Sequence, residues 1–280
     1  MLFQLASILK DEISTDWAPL SVLGTNAIPA DCQLLIIGGP RKASFLQEEL
    51  DKIDSYLKKG GRLLVLLNNN RGSSGIESTL AKWGVGVGDT TITERDPSFI
   101  ISPSNGSDFR TAELADHPML TAFIAAKLPG IHMVSPRVIY RMENVSKAPD
   151  AAKVSVLAQT SDVAVSAERQ GKFPLLIAVE QAGVKGLGGA RILVAGNSYF
   201  LSDKLIESGA NHYFAWLALN WLLELDRPEL GLGELGPRPI REYRLLLSSH
   251  QIHAVQWIYL LGLPGAVLLI GGLVWLRRRN

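Results

Sequence analysis

The stretch from Trp257 to Leu276 reads WIYLLGLPGAVLLIGGLVWL, carries no charged side chain, and is followed at once by Arg277, Arg278 and Arg279. A helix of roughly 20 apolar residues spans about 30 Å, the thickness of a bilayer's hydrocarbon core. In lipid a helix satisfies its own backbone hydrogen bonds, and each Leu, Ile or Val favours insertion by about 0.3–0.6 kcal/mol. Trp257, Tyr259 and Trp275 suit the two headgroup layers. Buried core helices seldom run uncharged for so long or end in an arginine cluster, so the run is expected to be a transmembrane anchor. Gly262 and Ala266 form a small-xxx-small pair through which another membrane helix could approach closely.

The remainder of the 280 residues is enough for one generous domain with a full hydrophobic core. A net charge of +1 leaves no basic footprint for nucleic acid. The single cysteine, Cys32, excludes an internal disulfide and a cysteine-based zinc site. For sidedness two rules conflict. The terminal arginines place the C-terminus in the cytoplasm and the large domain outside, in a single-pass protein of the cytoplasmic (inner) membrane. Yet Met1 to Lys10 has neither a basic leader nor a cleavage site. The arginines weigh more, because a start inside a longer chain accounts for the missing signal.

Along the chain, residues 1–225 are expected to form an α/β domain, 226–248 a Pro/Gly-rich linker and 249–280 the anchor with its cytoplasmic arginine tail. Leu5 to Ile13 reads as a short amphipathic helix and Leu20 to Leu23 as extended. Gln33 to Ile37 is an apolar run ended by glycines, the pattern of a strand buried on both faces. A helix is predicted from Ser44, with Gln47 as capping partner and Leu46, Leu50, Ile53 and Leu57 on one face, stopped by Gly60 and Gly61. Arg62 to Leu67 is the next buried strand, which completes a βαβ unit with parallel strands. A helix follows at Ile76 to Trp83, a strand at Ser98 to Ser102, and a turn at Asp116–Met119 leading into a helix that ends near Ala126. Region 130–180 is expected to be a strand-rich insertion in the open sheet, with Ile131 to Ile139, Lys153 to Thr160 and Phe173 to Glu180 able to pair antiparallel. A strand at Ala190 to Ala195 and a helix from Asn211 to Leu225 close the domain.

Complete catalytic motifs are absent from this reading. Gly38 to Ala43 lacks a Walker A ending, and the glycines at 84, 86 and 88 follow a helix where a dinucleotide fingerprint would open one. Gly196-Asn197-Ser198 follows a strand as a nucleophile elbow does, but Phe200 stands where the second glycine belongs. Cys32 lies before its strand. His250 and His253, one turn apart, have no carboxylate at ligand spacing. No catalytic, cofactor or metal residue is therefore assigned. Asn68, Asn69, Asn70 and Arg71 form turn chemistry at the C-terminal end of a strand, where open α/β sheets place ligand or partner loops.

Ile28-Pro29-Ala30-Asp31, Ile53 to Arg62 (IDSYLKKGGR), Asp116-His117-Pro118, Gly196 to Phe200, Asn220-Trp221-Leu222 and the arginine-ended anchor together resemble the GldG-type, gliding-motility auxiliary components of ABC transporters, in their C-terminal part. The resemblance implies a Rossmann-like or amidotransferase-like open sheet without that class's catalytic residues. It also implies placement outside the cytoplasmic membrane beside an ABC-2-type permease and a separate ABC ATPase. The expectation is a non-catalytic auxiliary subunit acting by protein–protein contact. The alternatives are a tethered hydrolase using Ser198, or Asp116 and His117, and an extracytoplasmic ligand-binding module at Asn68–Ser74.

Overall fold

A parallel βαβ unit opens the main sheet, but its first strand, expected to be buried on both faces, lies at the sheet's edge and is only partly buried. In the computed structural model, which describes residues 2–39, 45–69, 73–101, 104–142, 152–167, 169–183, 189–225 and 257–279, β1 (Leu35–Gly38) pairs parallel with β2 (Arg62–Leu66) across the helix α2 (Gln47–Lys58). Leu50, Ile53 and Leu57 of α2 are buried as the periodicity predicts. Leu46 is not, at 57 % exposed, because the helix starts at Gln47 and Leu46 is its cap. Its amide donates to the Glu49 carboxylate at 2.8 Å, so Glu49 is the capping partner, three residues on from the true start. Ser44 lies outside the described residues. At the far end Gly60, with φ +86°, turns the chain out of the helix, and the Tyr56 ring lies over Gly61 where a Cβ would meet it at 2.5 Å.

α3 (Ile76–Lys82) and β3 (Val85–Thr91) follow, then β4 (Asp108–Arg110), β5 (Glu113–Leu114), a 3-10 turn at Pro118–Leu120 and α4 (Thr121–Ala125). The expected strand at Ser98 to Ser102 is not formed: a turn stands there, and among the described residues only Ile100 bridges to Phe109. The expected single strand Ile131 to Ile139 is two, β6 (His132–Val134) and β7 (Arg137–Arg141), because Ser135 takes φ +47° between them. β8 (Lys153–Gln159), β9 (Val165–Ser166), β10 (Arg169–Gln170), β11 (Pro174–Gln181) and β12 (Ala190–Ala195) come next, then a 3-10 turn at Tyr199–Leu201 and α5 (Asn211–Leu223).

The main sheet has the order β1-β2-β12-β11-β8-β5. Its first three strands are parallel, and β11 then runs antiparallel to both β12 and β8. Two strands of the strand-rich region thus complete the main sheet instead of forming a separate insertion. Side chains alternate between two cores. Leu64, Leu66, Leu193 and Ala178 pack with Leu5, Ile8 and Leu9, Phe123, and Phe214 and Leu222 of α5, whereas Leu63, Val65, Val194 and Ile177 pack with α2, α3 and Ile139. The N-terminal helix is as expected except in its second half, where α1 (Phe3–Ser7) widens into a π-helical turn, Ile8–Glu12.

The chain divides into two units, Met1–Leu235 and Gly236–Asn280. In the second, the run expected as one span is a π-helical turn, Ile258–Gly262, followed by α6 (Leu263–Arg279). Trp257, Tyr259, Leu268, Ile270, Leu273 and Trp275 are all exposed. Among the described residues no helix is long and apolar enough to cross a membrane. The Pro/Gly-rich linker expected at 226–248 lies outside the described residues.

Candidate functional site

The C-terminal ends of β1, β2 and β12 bring together Gly39, Asn68, Asn69 and Gly196-Asn197-Ser198. Gly39 donates its amide to the Leu66 carbonyl at 2.8 Å and takes φ +61°, and a Cβ there would lie 2.7 Å from the Ser198 hydroxyl. Asn68 is half-buried and Asn69 exposed, its amide donating to Asn68 Oδ1 at 3.0 Å. Asn70 and Arg71 lie outside the described residues. Beyond them Ser73, Ser74 and Glu77 form the entry to α3, and the buried Arg137 of β7 pairs with Glu77 at 3.2 Å and donates through Nε to the Gly88 carbonyl. Burial alone would raise the Glu77 carboxyl. Hydrogen bonds from its own amide, the Ser74 amide, the Ser73 hydroxyl and Arg137 overcome that, and it lies below the usual carboxylate range.

The Gly196-Asn197-Ser198 sequence is a joint, not a nucleophile elbow. Gly196 accepts the Arg137 amide at 2.7 Å, and a Cβ would stand 2.5 Å from the Arg137 carbonyl oxygen, so only glycine lets β7 come this close to β12. Asn197 is buried. Its Nδ2 donates to the Val134 carbonyl at 2.5 Å and its Oδ1 accepts the Phe200 amide at 2.9 Å, which holds β6 and starts the 3-10 turn. Ser198 therefore marks a sharp turn with no histidine beside it among the described residues. His117 lies near Glu180, which faces Arg191 at the start of β12, so it is separated from Ser198 by the length of that strand, roughly 20 Å. Asp116 is exposed beside it. The hydrolase constellation read from the sequence is not assembled.

One Ser–His–Asp chain does occur, between residues that no sequence spacing singled out. His132 Nε2 meets the Asp108 carboxylate, and Nδ1 meets the Ser208 hydroxyl at 2.7 Å. The two ring nitrogens are exchanged relative to a serine-hydrolase triad. His132 and Ser208 are 2 % and 8 % exposed. Asn211 fixes the same place, accepting the His132 amide and donating to the carbonyls of His132, Phe200 and Leu205. At about 0.5–1.5 kcal/mol net per bond these contacts tie the β4–β6 pair to the start of α5. The segments lie far apart in sequence, and only the fold brings them together.

A cavity of about 730 Å³ opens on the other side of α2, lined by Ile28, Pro29, Cys32, Lys52, Tyr56 and Lys59 among others. Two of the sequence motifs meet there, and both have local work. Lys52 donates to the carbonyls of Val22, Gly24 and Asn26, fixing the loop before β1. Tyr56 bonds to the backbone of Cys32 and Arg62, and burial pushes its hydroxyl up to about 12. Burial also raises the Cys32 thiol, leaving it a poor nucleophile.

Among the described residues no group of three or more His, Cys, Asp or Glu is arranged to hold a metal; His250 and His253 lie outside those residues. In the C-terminal unit Arg279 lies over the Trp275 ring at 5.1 Å, Arg277 and Arg278 share its last turn, Gly262 closes the π-helical turn, and Ala266 follows in α6.

The model of a family described as an ABC-type uncharacterized transport system, auxiliary component, matches residues 4–220. No curated protein matches the chain. Among solved structures, the mmIFT52 N-terminal domain is similar, with a TM-score of 0.52 at 18 % identity over 70 % of this chain and 79 % of that one. At that identity the likeness is one of fold.

Proposed function

The chain belongs to the auxiliary-component family of ABC-type uncharacterized transport systems, and on that premise we propose that it is a GldG-type, membrane-anchored, non-catalytic subunit. The α/β domain sits outside the cytoplasmic membrane and works by contact with an ABC-2-type permease and its separate ATPase. The family match across nearly the whole α/β domain carries this reading. Three further observations support it. The run from Trp257 to Leu276 is uncharged and ends in Arg277–Arg279. The motif residues Gly196, Asn197 and Tyr56 serve packing and hydrogen bonding. Among the described residues no histidine stands beside the sharp turn at Ser198, each described histidine being engaged with other partners. The loop at Asn68–Arg71 is the surface proposed for partner contact, and the Gly262–Ala266 side of the anchor is the surface proposed for the permease helices.

Purification of the chain from detergent-solubilised native membranes tests this. It is expected to bring down a multi-spanning permease and a nucleotide-binding ATPase in fixed ratio, and Gly262→Leu with Ala266→Leu is expected to lower that recovery severalfold. Recovery of the chain without either subunit would overturn the reading. So would turnover of ester or amide substrates that is lost on Ser198→Ala.

A further inference from the structure

His117 is held in a position that only its neutral ring can occupy. It precedes the 3-10 turn Pro118–Leu120 and caps it, with Nδ1 accepting the Met119 amide at 3.2 Å. An accepting Nδ1 has no proton, so the ring's one hydrogen is on Nε2. That Nε2 is buried and without a hydrogen-bond partner, 3.6 Å from Glu180 Oε2, just beyond bonding reach. The ring stands edge-on to Trp221 of α5 at 5.6 Å. The buried donor is aimed at a carboxylate that it falls just short of, which leaves room for a closer approach.

We propose that His117 is a proton-operated latch between the turn before α4 and the last turns of α5. When the ring takes up a proton, Nδ1 becomes a donor facing the Met119 N–H, so the cap is lost. At the same moment the imidazolium is drawn the short distance to Glu180. Once both ring nitrogens carry protons the Met119 cap cannot be kept, and movement toward Glu180 changes the ring's packing on Trp221. Two residues beyond Trp221, α5 ends.

The surroundings set which state is occupied. Glu180 of β11 faces the ring and favours the charged form. Lys153 of β8 and Arg191 of β12 lie beside Glu180 in one row across the sheet and oppose it. Arg191 also covers the Trp221 ring at 5.1 Å and pairs with Glu224, as does Arg62 of β2. Asp116, next in the chain, is exposed. Burial, with the two cations, outweighs Glu180 and places the ring below the ordinary histidine value. Neutral medium thus holds the cap, and acid releases it. Glu180 is 32 % exposed on its side chain, so protons have a route in.

The test is NMR of the full chain, isotope-labelled in lipid nanodiscs, from pH about 7.5 to about 5. The Met119 amide and the Trp221 indole resonances are expected to shift together, with one midpoint below 6.5, an ordinary value. Glu180→Gln removes the attracting carboxylate and is expected to lower that midpoint further. His117→Asn keeps a capping oxygen but cannot titrate, and is expected to abolish both shifts while leaving the spectrum folded. Resonances that stay fixed across this range, or that shift identically in His117→Asn, would overturn the latch.

Discussion

At the scale of single residues, the sign of a histidine's shift says what the residue does for stability. His212 lies between two carboxylates, Nε2 at 2.8 Å from Glu12 and Nδ1 at 3.2 Å from Glu207, and only the doubly protonated ring can donate to both. Burial lowers its pKa, but the two carboxylates outweigh burial and the value is raised. A raised folded value means stabilisation that is complete below the unfolded value of about 6.5 and lost as pH rises through the folded one. His212→Gln should therefore unfold more easily than the parent in urea at low pH, with the difference disappearing in alkaline solution. A difference that grew with pH would contradict the assignment. None of this was legible in the sequence, since Glu12 and His212 come from opposite ends of the domain. The same holds for Asp108, His132 and Ser208, whose chain exists only because β4 pairs with β6.

Among the elements, those built on local periodicity were readable and those built on distant contacts were not. β1, α2 and β2 follow directly from two apolar runs and a stripe at helical spacing. The start of α2 was misplaced because Gln47 resembles a capping partner, while the carboxylate that caps is Glu49. β6 and β7 were read as one strand although Pro136 marks a break in HMVSPRV; the left-handed Ser135 before it is what separates them. Gly196 follows a strand as an elbow glycine does, a reading that Phe200 already rules against, and its real constraint is the carbonyl of Arg137 on another strand. Gly196→Ala is accordingly expected to destabilise the domain by about 1–3 kcal/mol, the usual cost of forcing an atom into a packed contact. Ser198→Ala, two residues on, is expected to stay within about 0.5 kcal/mol of the parent. Denaturant titration of both distinguishes a structural joint from a catalytic turn, and equal effects would remove the distinction.

For the molecule as a whole, the α/β class was legible because buried strands and amphipathic helices alternate in its first half. The sheet order was not, because β11 and β8 come from a region whose change to strand-rich texture reads as an insertion. The central claim is that this domain is displayed on the outer side of the cytoplasmic membrane by its C-terminal run. Cysteine accessibility tests it most directly. With Cys32 changed to serine and Ser73→Cys placed in an exposed position at the entry to α3, a membrane-impermeant thiol reagent applied to intact spheroplasts should label the natively expressed chain. The label should remain with the membrane fraction after alkaline washing. Labelling that requires lysis would place the domain in the cytoplasm, and labelled chain released by the wash would remove the anchor; either result contradicts the account.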